Sequence, residues 1–159
     1  YTTSRMDEIR LLPRLVVALI LGTALGFERE RRRKPAGLRT HVLVSLSTAA
    51  LMAGAHLLQT EDGSTVGDPV RMAQGILTGI GFIGAGTIVH QRNMVTGITT
   101  AATIWLAAAV GMLSGGGLYI LAVALAVLSL VALDGMEWLM VRLGHEHVTD
   151  PESERHEDE

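Results

Sequence analysis

Long apolar stretches alternate with short polar ones along this chain, and the alternation predicts its elements. No charged residue stands between Arg92 and Asp134, although a soluble domain would interrupt such a stretch with charges that face solvent. A helix needs about 20 residues to cross the hydrocarbon core of a bilayer. The predicted spans are residues 11–27, 40–58, 70–89, 97–113 and 118–140. We therefore predict an all-α polytopic membrane protein, a bundle of about five transmembrane helices in a lipid bilayer.

Composition divides the chain into three parts. Residues 1–10 form an N-terminal flank, and residues 11–141 form the transmembrane domain of a chain in which 48% of the 159 residues are hydrophobic. Residues 142–159 form an acidic tail that almost lacks apolar residues. Because such a tail cannot bury the apolar surface that folding requires, we predict that it is disordered. Its histidines and carboxylates offer weak metal binding as an alternative to a solvated acidic end.

The basic residues are clustered, and the cluster predicts the orientation in the membrane. Six of the 13 lysine and arginine residues lie at positions 29–39, whereas the connection at 59–69 contains none of them. Short cytoplasmic loops are rich in lysine and arginine, so we place the N-terminus outside and the C-terminus in the cytoplasm. The arginine run serves topology and attraction to anionic lipid, with docking of a soluble partner as the alternative. We expect no nucleic acid partner.

The sequence lacks the residues that several kinds of functional site require. Without cysteine there are no disulfides, zinc thiolate sites or iron–sulfur clusters. The segment at 79–84 matches G-x-G-x-x-G, but it lies inside a predicted span without the preceding strand that a dinucleotide site requires. There is also no phosphate loop and no pairing of a nucleophile with a base. We predict that the protein is not an enzyme and has no cofactor, with Mg²⁺ as the one ion to be considered.

The third predicted span has two unlike faces. At 100° per residue, its small residues fall on one side and its isoleucines on the other. Membrane helices approach closely through small residues, so we predict that the small side packs inside the bundle and that this helix is central. The isoleucine side then faces lipid or a partner subunit. The predicted packing glycines of the first and third spans are Gly22, Gly26, Gly75, Gly79, Gly81, Gly84 and Gly86.

Uncharged polar residues form stripes on two other spans. The second span carries His41, Ser45 and Thr48 at helical spacing, and the fourth carries threonines at 96, 99, 100 and 103. One interpretation is that these groups make hydrogen bonds between helices or to carbonyls of the preceding turn. The other is a hydrated path or solute site.

Three ionisable residues lie in or at the end of a span, where charge is costly and marks function. Glu28 and Asp134 fall at predicted cytoplasmic helix ends, where they could face one another, pair with Arg39, or coordinate a hard cation through oxygen. Alternatively, Glu28 pairs with neighbouring arginines in solvent and Asp134 is an ordinary interfacial residue. Arg71 starts the third span, and pairing with Asp68 is its simpler role.

Five motifs, in this order, resemble the membrane domain of the MgtC/SapB family. They are GFERE at 26–30, KPAGLRTH at 34–41, RMAQG at 71–75, GIGFIGAG at 79–86 and TGITTAATIWL at 96–106. The resemblance covers residues 11–133. It implies a bacterial inner-membrane protein of about five spans that is linked to magnesium limitation and virulence.

The resemblance also implies which residues and partners matter. Carried over by motif, and with Asp134 added from its position, the functional polar residues are Glu28, Arg39, Thr40, Arg71, Gln74, Thr99, Thr100 and Asp134. We expect Glu28, Arg39 and Gln74 to form an interior polar cluster. The implied function is modulation of another membrane complex in magnesium homeostasis and stress adaptation by a homodimer. The alternative is direct passage of a cation, Mg²⁺ or H⁺, or of a small solute.

Overall fold

The structure, a computed structural model, describes residues 5–58, 68–91 and 94–142, except the side chains at 5–8, 10, 91 and 136–141. The elements in chain order are α1 (Arg5–Arg31), α2 (Leu38–Leu58), α3 (Pro69–Thr87), β1 (Val89–Gln91), β2 (Met94–Thr96), α4 (Ile98–Gly115) and α5 (Tyr119–Arg142). The predicted all-α fold with five helices is confirmed. Helix α1 begins at Arg5 and so takes in part of the predicted N-terminal flank. Of the predicted disordered tail at 142–159, Arg142 is the last residue of α5, and the rest lies outside the described residues.

Among the described residues, three helices are long and apolar enough to cross a membrane. They are α1 over Leu11–Arg31, α2 over its whole length and α4 over its whole length. The apolar part of α5, Tyr119–Gly135, is shorter. Since an apolar helix of this kind has its backbone hydrogen bonds satisfied internally, it is suited to a solvent without water. The chain is a membrane protein.

The chain forms two compact units, Tyr1–Val127 and Leu128–Glu159. The first contains α1 to α4, the two strands and the beginning of α5; the described part of the second is the remainder of α5. Within the first unit, α2 contacts α1, α3 and α4, while α4 contacts α1, α2 and α3. Helices α2 and α4 are therefore central, and the prediction of a central third span was wrong.

Helices α2 and α4 approach each other at two glycines of α4. A Cβ atom on Gly111 would overlap Thr48 Oγ1 and lie 2.9 Å from the carbonyl carbon of Ser45. A Cβ atom on Gly115 would lie 2.9 Å from Ala49 Cα. Because there is no hydrophobic force between helices in lipid, such close packing and the hydrogen bonds across it supply the association energy.

Glycines also set the contact between α1 and α2. A Cβ atom on Gly22 would lie 2.8 Å from Ser45 Cβ, and one on Gly26 would lie 2.7 Å from Leu38 Cα. Both glycines are buried. The first turn of α2 therefore rests against the last turns of α1.

The glycine side of α3 lies on the surface of this chain, contrary to the prediction. A Cβ atom added to any of four glycines would meet nothing within 4 Å: Gly75, Gly79, Gly81 and Gly86. Only the fifth, Gly84, would make an ordinary contact, at 3.7 Å from Ala101 Cβ. The buried residues of α3 include Ile76 and Ile80. The buried side of α3 thus carries Ile76 and Ile80 together with Gly84, whereas Ile83 is exposed.

The same hydrogen-bonded motif ends α1 and α4. At the end of α1, the Lys34 N–H donates to the Arg29 carbonyl at 3.1 Å and the Arg33 N–H donates to the Glu30 carbonyl at 3.0 Å. Arg33 has a φ of 53°, a left-handed conformation that usually selects glycine in this motif. Gly117, with a φ of 79°, occupies the equivalent place after α4. These turns stop each helix sharply and direct α2 back along α1.

A short hairpin joins α3 to α4. Strands β1 and β2 are antiparallel, with His90 opposite Val95. Gly97, the residue before α4, has a φ of 85°. The sequence analysis placed Val89 in the third span and left residues 90–96 as a connection, because three residues per strand are too few for an alternating pattern to be recognised.

Candidate functional site at the turn between α1 and α2

Two charged side chains are buried in the last turns of α1. Glu28 is 5% exposed and Arg29 is 3% exposed, although charges are seldom buried unless they are paired. Glu28 Oε1 contacts Arg32 Nε, one turn further along the helix. Glu28 Oε2 lies 3.8 Å from Arg29 Nη1. Arg32, with its side chain 22% exposed, is the part of this group that reaches the surface.

His41 on α2 completes what we call the buried charge cluster: Glu28, Arg29, Arg32 and His41. The His41 side chain is fully buried, and its Nδ1 lies 2.9 Å from the Gly37 carbonyl oxygen. Because a carbonyl oxygen only accepts, Nδ1 carries the proton and donates it to this bond. Nε2 is buried as well, and it has no hydrogen-bond partner within the described ranges.

One edge of the Arg29 guanidinium is similarly unused. Its Nε and Nη2 atoms are buried and find no hydrogen-bond acceptor among residues 5–58, 68–91 and 94–142. In the described ion pairs, Glu28 lies beside both Arg29 and Arg32, and the two Arg29 donors remain without an acceptor in a poorly solvated place.

Glu30 fixes the start of α2 next to this cluster. Its Oε2 accepts a hydrogen bond from the Leu38 N–H at 2.9 Å, which satisfies a free donor of the first helical turn. We expect Glu30→Ala to lower the free energy of unfolding by about 1 kcal/mol, as loss of an N-terminal cap does. Glu30→Gln keeps an acceptor oxygen and should stay near wild type in a detergent unfolding titration. Equal losses in both variants would contradict the capping role.

The buried hydroxyls of α2 and α4 donate to backbone carbonyls. Ser45 Oγ donates to the Ala18 carbonyl at 2.9 Å, and Thr48 Oγ1 lies 3.2 Å from the Ala108 carbonyl oxygen. Thr103 Oγ1 donates to the Thr100 carbonyl at 3.0 Å. Of the two interpretations of the polar stripes, hydrogen bonding within and between helices describes these three residues.

The structure separates most of the residues that the sequence analysis grouped. Glu28 and Thr100 are buried, and Thr40 is half-buried at the start of α2. Four others are exposed: Arg39, Arg71, Gln74 and Thr99. Asp134 is exposed in the second unit.

The predicted interior cluster of Glu28 with Arg39 and Gln74 was therefore wrong. Glu28 instead contacts Arg32, which the helix brings onto its face at the i,i+4 spacing. Arg39 lies on an exposed part of α2, and Gln74 lies on the exposed side of α3.

The geometry around Glu28 does not form a metal centre. Its two carboxylate oxygens lie nearest to guanidinium groups. In the part of the chain that the structure describes, no three His, Asp or Glu side chains converge as metal ligands would. A hard cation prefers several oxygen ligands, which this arrangement of arginines does not supply.

Sequence analysis missed several residues that organise the bundle. Arg14 Nη1 donates to the Gly115 carbonyl at 2.8 Å, a cation at the C-terminal end of α4 where the helix dipole favours it. Gly111 and Gly115 were also missed, although their spacing is that of a membrane helix packing motif. The Glu28–Arg32 spacing was likewise available from the sequence.

Comparison with known proteins places the whole bundle in one family. The sequence profile of the MgtC family matches residues 15–141. An Escherichia coli protein named "Putative magnesium transporter YhiD" is 43% identical over 135 residues, which are 82% of this chain and 62% of that protein. Protein SapB of Bacillus subtilis is 32% identical over 146 residues, 88% of this chain and 62% of SapB.

Protein MgtC of Brucella abortus is 40% identical over 122 residues, 77% of this chain and 49% of that protein. The chain thus spans less than two thirds of the length of these relatives. No solved structure matches it. The profile match covers most of the chain, and the predicted resemblance is confirmed: this chain belongs to the MgtC family.

Proposed function

We propose that this protein modulates another membrane complex of the bacterial inner membrane, in magnesium homeostasis and stress adaptation, and catalyses no reaction itself. The magnesium role is supported by the name of the E. coli relative. The distribution of arginines supports an N-terminus outside and a C-terminus in the cytoplasm.

The observation that carries this proposal is the exposed face of α3. We define the α3 face by its exposed residues Gln74, Gly75, Thr78, Gly79 and Phe82. Each glycine in a helix costs about 1 kcal/mol relative to alanine, and a Cβ atom on Gly75 or Gly79 would touch nothing in this chain. Helix α3 is not among the described helices that are long and apolar enough to cross a membrane, but it contacts two that are, α2 and α4. Small residues let helices approach closely within a membrane. The α3 face is therefore suited to a helix of another subunit.

A groove beside the α3 face supports the same role. A space of about 600 Å³ lies between α2 and α3, and Leu51, Ala55 and Ile76 are among its apolar lining residues. Asp68 and Arg71 also line it. A partner helix packed on Gly75 and Gly79 would fill this groove with its side chains.

Photo-crosslinking from the α3 face tests the proposal. Phe82 is 84% exposed and Ile120 on α5 is 86% exposed. A photoreactive side chain would therefore be about equally accessible at the two positions. With a photoreactive phenylalanine at each position in native membranes, we expect discrete protein adducts from position 82 and few from position 120. Equal adduct yields from the two positions would contradict a specific interface.

A matched pair of substitutions locates the contact. Gly79→Leu adds a large side chain to the α3 face and should reduce the adducts from position 82 by about tenfold, which corresponds to ~1.4 kcal/mol. Ala50→Leu makes a comparable change at an exposed site on α2 and should leave them unchanged. The mass of the adduct distinguishes a homodimer from a complex with a different membrane protein. If Gly79→Leu leaves the adduct yield unchanged, the α3 face is not the interface.

Direct passage of Mg²⁺ or H⁺ is the second candidate, favoured by the word transporter in the name of the E. coli relative. The hydrogen bonds of Ser45, Thr48 and Thr103 to carbonyls argue against a water-filled path along them. Proteoliposomes loaded with a magnesium indicator separate the two candidates. Flux above that of empty vesicles, lost in Gln74→Ala, would support passage; absence of flux together with a specific adduct would support modulation.

A further inference from the structure

We propose that the groove between α2 and α3 binds one molecule of phosphatidylethanolamine, with an acyl chain along the groove and the headgroup at its mouth, between Asp68 and Arg71. The groove has a volume of about 600 Å³, and both charged residues line it together with apolar side chains. The inference goes beyond the proposed function, since it concerns the chain without a partner. A partner helix on the α3 face would displace the lipid.

The two charged residues lie at the end of the groove where α2 ends. Helices α2 and α4 run in the same direction, because Gly111 and Gly115 lie against successive turns of α2. Helix α3 runs in the opposite direction, since its Gly84 lies beside Ala101 in the first turn of α4. The first turn of α3, which contains Arg71, is therefore level with the last turn of α2. Because α2 can cross the membrane over its whole length, this end of the groove lies at the membrane surface.

The groove has the length and the lining that an acyl chain requires. It follows α2 from Leu58 back to Thr48, about 15 Å at the rise of an α-helix, which is half the thickness of the hydrocarbon core. Gly75 and Gly79 line it without side chains that would obstruct it. At the deep end, Thr48 Oγ1 donates to the Val44 carbonyl at 2.9 Å, so this hydroxyl is already bonded. A flexible hydrocarbon chain fills such a space and gains the contacts that a void would forfeit.

The mouth of the groove carries two opposite charges that do not pair with each other. Asp68 and Arg71 are three residues apart, yet the ion pairs among the described residues do not include one between them. The pairing that sequence analysis considered for Arg71 is thus not formed. Asp68 Oδ1 accepts the Val70 N–H at 2.9 Å, which holds the carboxylate at the start of α3, and Arg71 is exposed.

These two charges are complementary to a zwitterionic headgroup. A phosphate accepts hydrogen bonds from a guanidinium, and an ammonium group donates to a carboxylate oxygen. Phosphatidylethanolamine carries both groups, whereas phosphatidylglycerol has the phosphate without a cation. The connection before α3 adds Glu61 and Asp62 but no basic residue, which disfavours a headgroup of net negative charge. We therefore expect phosphatidylethanolamine to bind more tightly than phosphatidylglycerol.

Lipid-dependent thermal unfolding of the purified, delipidated protein in detergent tests the site. Phosphatidylethanolamine should raise the unfolding midpoint saturably, and phosphatidylglycerol with the same acyl chains should raise it by less than half as much. The purified chain carries no other protein, so this result does not depend on the partner contact that photo-crosslinking tests.

Two variants and one control test the headgroup contacts. Asp68→Asn retains an oxygen that caps α3 but removes the charge, and should abolish the preference for phosphatidylethanolamine. Arg71→Gln should weaken binding of both lipids by about tenfold. Arg33→Gln makes the same change at an exposed site in the turn after α1 and should bind as wild type does.

A second matched pair tests the acyl chain contact. Gly79→Leu places a side chain in the groove and should weaken phosphatidylethanolamine binding by about tenfold. Ala50→Leu makes a comparable change at an exposed site of α2 that does not line the groove, and should have no effect.

Four outcomes would overturn the proposal. They are equal stabilisation by the two lipids, an equal loss in Arg33→Gln and Arg71→Gln, unchanged binding in Gly79→Leu, and a dimer of the delipidated chain that phosphatidylethanolamine does not dissociate. The last outcome would show that a second copy of the chain occupies the groove. Helicity and elution volume are measured for each variant. If Gly79→Leu does not fold, the lipid preference of Asp68→Asn decides the question.

Discussion

Gly111→Ala is expected to destabilise the bundle by roughly 3 kcal/mol, at the upper end of the range for overpacking. The added methyl group would overlap Thr48 Oγ1 and lie 2.9 Å from the Ser45 carbonyl carbon. A side chain can rotate away, but the Ser45 backbone cannot, so α2 and α4 would have to separate. Separation would also lengthen the contact between Thr48 Oγ1 and the Ala108 carbonyl, now 3.2 Å.

Gly79→Ala is the matched control for this substitution. A Cβ atom at position 79 meets nothing within 4 Å, so we expect no loss of stability and a gain of up to about 1 kcal/mol from helix propensity. Both variants are compared as monomers in a detergent titration that follows helicity. If both alanines lowered the stability equally, the close contact between α2 and α4 would not be the cause.

The helices follow from the sequence because bilayer thickness constrains the length of an apolar stretch. Helix α2 ends at Leu58, as predicted, and begins two residues before the predicted start at residue 40. The end of α1 was placed four residues early, at residue 27 rather than at Arg31. The prediction stopped at the charges of Glu28 and Arg29, although both are buried by contact with the rest of the fold. Local apolar content therefore locates a helix better than it locates its end.

The packing faces could not be predicted in the same way. Small residues favour contact between membrane helices, but the rule does not say whether the neighbour belongs to the same chain. The glycines of α1 that were predicted to pack do lie against α2, at Gly22 and Gly26, whereas Gly75 and Gly79 of α3 are exposed. The tertiary arrangement decides that Gly22 and Gly26 pack against α2, while Gly75 and Gly79 have no neighbour within this chain.

The candidate site could be predicted only in part, because it too depends on tertiary packing. Glu28 was singled out, and its pairing with a neighbouring arginine was one of the stated alternatives. Its burial was not foreseen, because burial depends on the approach of α2 at Gly26, where the Leu38 backbone lies against α1. The turn that brings α2 there uses Arg33 in a left-handed conformation. An arginine run that sequence analysis assigns to topology thus also contains structural residues.

Glu28→Gln is expected to lower the free energy of unfolding by about 3 kcal/mol, since removing one partner of a buried ion pair leaves the other charge uncompensated. The substitution retains the shape of the side chain but leaves Arg29, which is 3% exposed, without a neighbouring negative charge. Glu30→Gln is the control, because it removes a nearby negative charge that is exposed. The double variant Glu28→Gln/Arg29→Gln should recover part of the loss, since it buries one less uncompensated charge. A loss of under about 1 kcal/mol in Glu28→Gln would place this pair in the range of solvent-exposed ion pairs and contradict the structural role assigned to the buried charge cluster.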